Sequence, residues 1–206
     1  MPQQKITHTM DIKSTEAQLQ LISEMLERTR KNIAGSSIFF LVWGWLVLAS
    51  TLIQWGLYTL VEVPWHWAVW PVLMSIGGIF NIFMGKKLNQ SMEFNSHLDT
   101  IANKIWIGAS ISIFLALFLS HFLGWTAAYV IIMLIYAFAT YITGILLKFK
   151  PLVYGAWFTQ ILVLALALFP ALGMYFENLL LIMAASILGT YLIPGYLLRK
   201  QKVRYV

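Results

Sequence analysis

From residue 36 onward the chain is a series of long apolar runs, broken by short polar or turn-forming patches. A helix needs about 20 mostly apolar residues to cross roughly 30 Å of hydrocarbon. Six runs meet that length, at 36–60, 65–85, 104–123, 126–147, 151–171 and 176–198, with no charged residue in any interior. The runs are continuous and do not alternate with period two, which excludes the strands of a membrane barrel. Helices remain, because a helix satisfies its own backbone where lipid offers no partner. The pattern predicts an all-α polytopic membrane bundle of six transmembrane helices.

The breaks carry turn chemistry. Val61-Glu62-Val63-Pro64, His121-Phe122-Leu123-Gly124-Trp125, Lys148-Phe149-Lys150-Pro151 and Pro170-Ala171-Leu172-Gly173 are all short, as antiparallel helical hairpins require. Only 86–103 is long. Leu88, Met92, Leu98 and Ile101 recur there at roughly helical spacing, which fits an interfacial helix or an extension of the neighbouring helices.

Ahead of the first run, 1–34 reads as a cytoplasmic segment without the apolar core and cleavage pattern of a signal peptide. Thr15 with Gln18 resembles a capping box. Leu19, Ile22, Met25 and Leu26 share one face, with Glu24, Glu27, Arg28 and Lys31 elsewhere, so an N-terminal amphipathic interfacial helix is expected. The transmembrane domain is expected over 35–202, with a short tail at 203–206.

Charge orients the runs. With the N-terminus in the cytoplasm, all 14 Lys and Arg fall on that side. They precede run one (Lys5, Lys13, Arg28, Arg30, Lys31), fill the inner connections (Lys86, Lys87, Lys104, Lys148, Lys150) or follow run six (Arg199, Lys200, Lys202, Arg204). The outer loops hold only Glu62 and Glu177 as charges. This is the positive-inside pattern, and it predicts a multi-pass inner-membrane protein with both termini cytoplasmic. The net charge of +6 then faces anionic membrane lipids, and no nucleic acid is expected as a partner. Composition agrees: 60% of residues are hydrophobic and 11% charged, against about 25% charged in soluble domains. The mean hydropathy is +0.76. The absence of cysteine excludes disulfides, thiolate catalysis and cysteine-bound metal clusters.

An internal repeat is also legible. Thr140-Tyr141-Ile142-Thr143-Gly144-Ile145-Leu146-Leu147-Lys148 matches Thr190-Tyr191-Leu192-Ile193-Pro194-Gly195-Tyr196-Leu197-Leu198-Arg199 with one insertion. The match predicts three parallel helical-hairpin repeats, near 35–103, 104–150 and 151–202. Gly108 with Ser112, Thr140 with Gly144 and Ala185 with Gly189 are small-residue pairs one turn apart, suited to close helix approach. Pro194 should bend run six near its inner end. Trp43 and Trp45 lie deeper, so each should find a hydrogen-bond partner or line a helix contact.

Candidate chemistry is sparse. No carboxylate lies deep within a run, Glu177 standing at the outer end of run six, which removes paired-acid hydrolysis and carboxylate proton relays. Ser120 and His121 are neighbours, and adjacent helical residues point about 100° apart. A zinc site could use His66 and His121 with Glu62 or Glu177, and nothing in their spacing forces them together. No cofactor, no metal and no catalytic residue are expected. The polar set expected to be buried within the runs is Gln54, Asn81 and Gln160 with several Ser and Thr. Amides at such positions form interhelical hydrogen bonds or line a solute cavity.

Ile22-Ser23-Glu24-Met25-Leu26, Asn32, the stretch from Ser36 to Trp45, and Gly144-Ile145-Leu146-Leu147-Lys148-Phe149-Lys150-Pro151-Leu152 with Gly155 resemble a group of small bacterial multi-spanning inner-membrane proteins. The resemblance covers most of the chain. It implies a bacterial inner-membrane protein and brings neither an activity nor a functional residue. Two functions follow as expectations. The first is a non-enzymatic membrane protein that anchors, senses or assembles with a cytoplasmic protein partner, or as a homo-oligomer. The second is a carrier or small channel for a neutral or apolar solute.

Overall fold

The computed structural model describes the backbone over 37–91 and 97–204 and the side chains over 37–84 and 100–200. The expected amphipathic helix of the first 34 residues lies outside the described residues. The described residues are helical apart from short turns and contain no strand. Six helical segments are long and apolar enough to cross a membrane. They are α1 (Ser37–Thr59), α2 (Val69–Ser91), α3 (His97–Leu123), α4 (Trp125–Leu146), α5 (Lys150–Leu168), and a sixth span made of α6 (Phe176–Ile187), a π-helical segment Leu188–Leu192, and α7 (Ile193–Arg204). The chain is a multi-pass membrane protein by this measure.

The boundaries follow local chemistry. A 3-10 turn, His66–Ala68, leads into α2. α5 stops at Leu168, short of the expected 171, because Pro170 has no N–H to continue the ladder. The Phe169 N–H caps the helix on the Ala165 carbonyl at 2.8 Å. A 3-10 turn, Pro170–Leu172, then carries the chain to α6. The polar stretch after the second run extends the neighbouring helices, α2 reaching Ser91 and α3 starting at His97.

α3 and α4 are joined through Gly124 alone, at φ 82°, a conformation glycine adopts without a Cβ penalty. The α4–α5 hairpin closes with Lys148 at φ 51°. There Lys148 N–H bonds the Ile145 carbonyl at 3.0 Å and Phe149 N–H bonds the Gly144 carbonyl at 2.9 Å. This pair of bonds is a Schellman cap. It buries Phe149 and starts α5 directly, with Pro151 in the first turn where a missing N–H costs nothing.

The sixth span is the axle of the bundle. In its most apolar window 61% of positions are buried, against 6% in the second span and 17% in the third. α1, α4 and α5 surround it, and α2 and α3 present Val72, Ile79, Phe83, Phe114 and Phe118 outward as a lipid-facing surface. Met133, Leu152, Leu179, Leu180, Met183 and Ile187 are fully buried in the shared core.

Close approach at the centre depends on small residues. A Cβ on Gly155 would lie 2.4 Å from the Gly189 carbonyl oxygen, and one on Gly44 2.9 Å from Leu192 and Tyr191 side-chain atoms. Gly144 is pressed against Leu152 and Val153, and Gly189 against Phe158. Gly108, in the remaining small-residue pair, faces open space. Just before Pro194 the sixth span changes its hydrogen-bond pattern. Without an N–H, Pro194 cannot serve the carbonyl four residues back, and the helix widens just before it: the Ile193 N–H bonds the Leu188 carbonyl, five residues away.

Candidate functional site

Three groups of polar and aromatic side chains lie along the bundle. The first is built on Gln54, which is buried on the inward stripe of α1 with Phe40, Leu41, Leu48 and Thr51. Its Oε1 accepts the Trp70 indole N–H at 2.5 Å and the Tyr129 hydroxyl at 2.7 Å. Two donors converging on one oxygen fix the orientation of the amide. The Nε2 amide therefore donates to His66 Nδ1 at 3.1 Å. His66 must accept at Nδ1, so the network assigns its ring proton to Nε2. One side chain thus ties together α1, the His66 turn, α2 and α4.

Aromatic rings close around this hub. Tyr58 meets His66 edge-on at 5.1 Å and Phe176 at 5.3 Å. Phe176 meets Tyr129 at 5.3 Å, which brings in α6. Beside them opens a cavity of about 540 Å³ with Tyr58, Thr59, Glu62, Pro64, His66 and Glu177 in its lining. Glu62 sits at φ 54° in the turn after α1, and Glu177 in the first turn of α6. Three of the four residues considered for zinc thus border one space, and His121, at the end of α3, does not line it. Among the described residues no three His, Cys, Asp or Glu are grouped so as to hold a metal ion.

The second group is a set of hydroxyls in the core. Tyr136 on α4 bonds Ser186 on α6. Thr159 on α5 bonds Thr190 in the π segment at 2.5 Å. Thr190 also donates to the Gly155 carbonyl at 3.0 Å, and Ser186 to the Met183 carbonyl at 2.7 Å. All four side chains are buried. Their groups face one another and backbone, so they fasten helices together. Thr159→Val or Thr190→Val should each cost about 1 kcal/mol, because the remaining hydroxyl loses a buried partner. The double variant should cost little more than either single one, since both ends of the bond are then apolar. Equilibrium unfolding in mixed micelles checks this; fully additive losses would mean that the two hydroxyls do not act as a pair.

The third group lies toward the end that carries Lys104, Lys148 and Lys150. Trp106 meets Phe39 at 5.4 Å, Phe40 at 6.2 Å and Tyr191 at 6.0 Å. Its indole N–H donates to the Thr143 hydroxyl at 3.2 Å, joining α3 to α4.

The three amides expected to matter separate here. Gln54 is the hub described above. Asn81 is exposed on α2, where its Oδ1 accepts the Trp43 indole N–H at 3.2 Å. Gln160 is half-buried on α5 and takes no part in either hydrogen-bonded group. The other deep tryptophan, Trp45, donates to the Tyr196 hydroxyl at 3.1 Å, so both deep indoles found partners. Sequence reasoning missed Tyr129, Tyr136, Thr159, Ser186 and Thr190. A signal was present on α4, where Tyr129, Met133, Tyr136, Thr140 and Thr143 recur at alternating spacings of four and three and are all buried.

Compared with known proteins, the chain matches no family model, no curated protein and no solved structure.

Proposed function

We propose that this is a non-enzymatic integral protein of a bacterial inner membrane, with both termini cytoplasmic, that anchors or assembles a protein partner at its basic, cytoplasmic end. The observation that carries this reading is how the core uses its polar groups. The hydroxyls of Tyr136, Thr159, Ser186 and Thr190 bond one another or backbone, and Met133, Leu152, Met183 and Ile187 are fully buried in the same core. A carrier needs polar groups free to exchange partners with a solute. Binding surface is then left at the ends, and one end concentrates Lys104, Lys148, Lys150, Arg199 and Lys200. Anionic headgroups of membrane lipids neutralise part of that charge. The amphipathic stretch before α1 would lie at the same face.

The three-hairpin repeat belongs to this reading. Aligning the end of span four with that of span six requires one extra residue between Thr190 and Gly195. A π turn spans one residue more than an α turn, and Leu188–Leu192 is π-helical. The inserted residue thus has a place to be absorbed, which supports common ancestry of the two hairpins.

The test exploits the cysteine-free chain. Lys148→Cys should resist a membrane-impermeant maleimide in intact cells, while Glu177→Cys should react. A thiol cross-linker at position 148, applied after permeabilisation, should yield a discrete protein adduct at native expression. Labelling of position 148 from outside would overturn the orientation. Lack of any adduct together with saturable solute flux into liposomes would overturn assembly in favour of a carrier.

A further inference from the structure

We propose that the cavity between Tyr58, Glu62, His66 and Glu177 is a binding site for an ammonium group, carried by a small organic cation or by a lipid headgroup. The site goes beyond the assembly reading and does not depend on it.

Size, charge and wall chemistry all point the same way. At about 540 Å³ the cavity has the dimensions of a small-molecule site. Its charged lining residues are Glu62 and Glu177, supplied by two separate elements. Among the described residues no Lys or Arg lines it. The described basic side chains, Lys104, Lys148, Lys150, Arg199 and Lys200, lie at the other ends of spans of at least 19 residues. At 1.5 Å per residue that is roughly 28 Å, far beyond the separation of about 4 Å that an ion pair needs. The carboxylates are therefore not neutralised from within the described bundle.

The imidazole does not oppose them. His66 accepts the Gln54 amide at Nδ1, an arrangement that requires a lone pair there and hence a neutral ring. Tyr58 supplies an aromatic wall, and its ring is held in place edge-on by His66 and Phe176. Aromatic rings attract large, weakly hydrated cations through the ring quadrupole, and quaternary ammonium is the favoured case. A divalent metal fits less well. It demands several converging oxygen or nitrogen ligands at about 2 Å, and the described residues hold no group of three such side chains. The site also lies at the acidic end of the bundle, where chain meets headgroups, so the ammonium of phosphatidylethanolamine or phosphatidylcholine is within the same chemistry as a free amine.

The experiment is calorimetric titration of the full chain in phosphatidylglycerol nanodiscs with choline, its uncharged tert-butyl isostere, and magnesium. Saturable binding of choline and none of the isostere is expected. Glu62→Gln with Glu177→Gln should weaken choline binding by about tenfold. Tyr58→Leu should weaken it by about threefold. Unchanged thermal unfolding of the ligand-free variants shows that they remain folded. Repeating the titration in nanodiscs containing phosphatidylethanolamine separates the sources: weakened choline binding there marks a headgroup as the occupant, and unchanged binding marks a free cation. Equal binding of the isostere, saturation by magnesium alone, or full choline affinity in the folded double glutamine variant would overturn the proposal.

Discussion

Gly155→Ala should destabilise the folded protein by about 3 kcal/mol. The added methyl would stand 2.4 Å from the Gly189 carbonyl oxygen and 2.9 Å from the Thr190 Cα. Both are backbone atoms of the π segment, so no rotamer change can make room. α5 must move away from the sixth span. That movement stretches the bond from Thr190 to the Gly155 carbonyl, now 3.0 Å. It also weakens the pairing of Thr159 with Thr190, so packing and hydrogen bonding are lost together. Gly108→Ala is the matched control. Nothing lies within 4 Å of a Cβ at that position, and the better helix propensity of alanine favours the folded state by up to about 1 kcal/mol. Equilibrium unfolding in mixed micelles measures both variants side by side. Equal stability of the two would mean that the bundle is not closed at the α5–π contact as described.

Gln54→Leu is the second large effect. Leucine removes the acceptor of the Trp70 and Tyr129 donors and the donor to His66 Nδ1. Interhelical hydrogen bonds in membranes average only about 0.6 kcal/mol each. Leaving buried groups without any partner costs more, about 1–3 kcal/mol per group. Three groups are affected, two of them on partly exposed residues, so a loss of about 3 kcal/mol is expected. Tyr129→Phe alone should cost about 1 kcal/mol, and the double variant should fall short of the sum by about 1 kcal/mol, since the tyrosine then has no acceptor left to lose. A strictly additive cycle would show that Tyr129 and Gln54 do not interact. Because the network also positions His66 and braces Tyr58 through ring contacts, Gln54→Leu should further blunt choline binding without touching either carboxylate.

The legible and the illegible residues divide by the distance over which each interaction acts. Spans were readable because hydrocarbon imposes one requirement, about 20 apolar residues, and each segment meets it alone. Turn chemistry is equally local: α1 ends at Thr59 and α4 runs from Trp125 to Leu146, each beside its turn residues. At α5 the expectation overran to 171, although Pro170 was in plain view. Partners were harder. Gln54 stood out as a polar residue in an apolar run, and its partners lie 12, 16 and 75 residues away. Nothing in the composition distinguishes Gln54 from Gln160, yet one joins four elements and the other joins neither hydrogen-bonded group. Among the small-residue pairs, Gly108 with Ser112 reads like Ala185 with Gly189, but Gly108 faces open space and Gly189 faces Phe158.

On its own, the order of residues determined that six helices are long and apolar enough to cross a membrane, where they turn, and that cationic side chains gather at alternate ends. Each of these is decided by a run of neighbours against a uniform solvent. Tertiary structure alone decided which span is the axle, that Pro194 is relieved by a π turn against Gly155, and that Glu62, His66 and Glu177 border one cavity. In lipid every helix face is apolar, so hydrophobicity cannot say which face turns inward. That choice rests on shape and on a few hydrogen bonds between residues far apart in the chain.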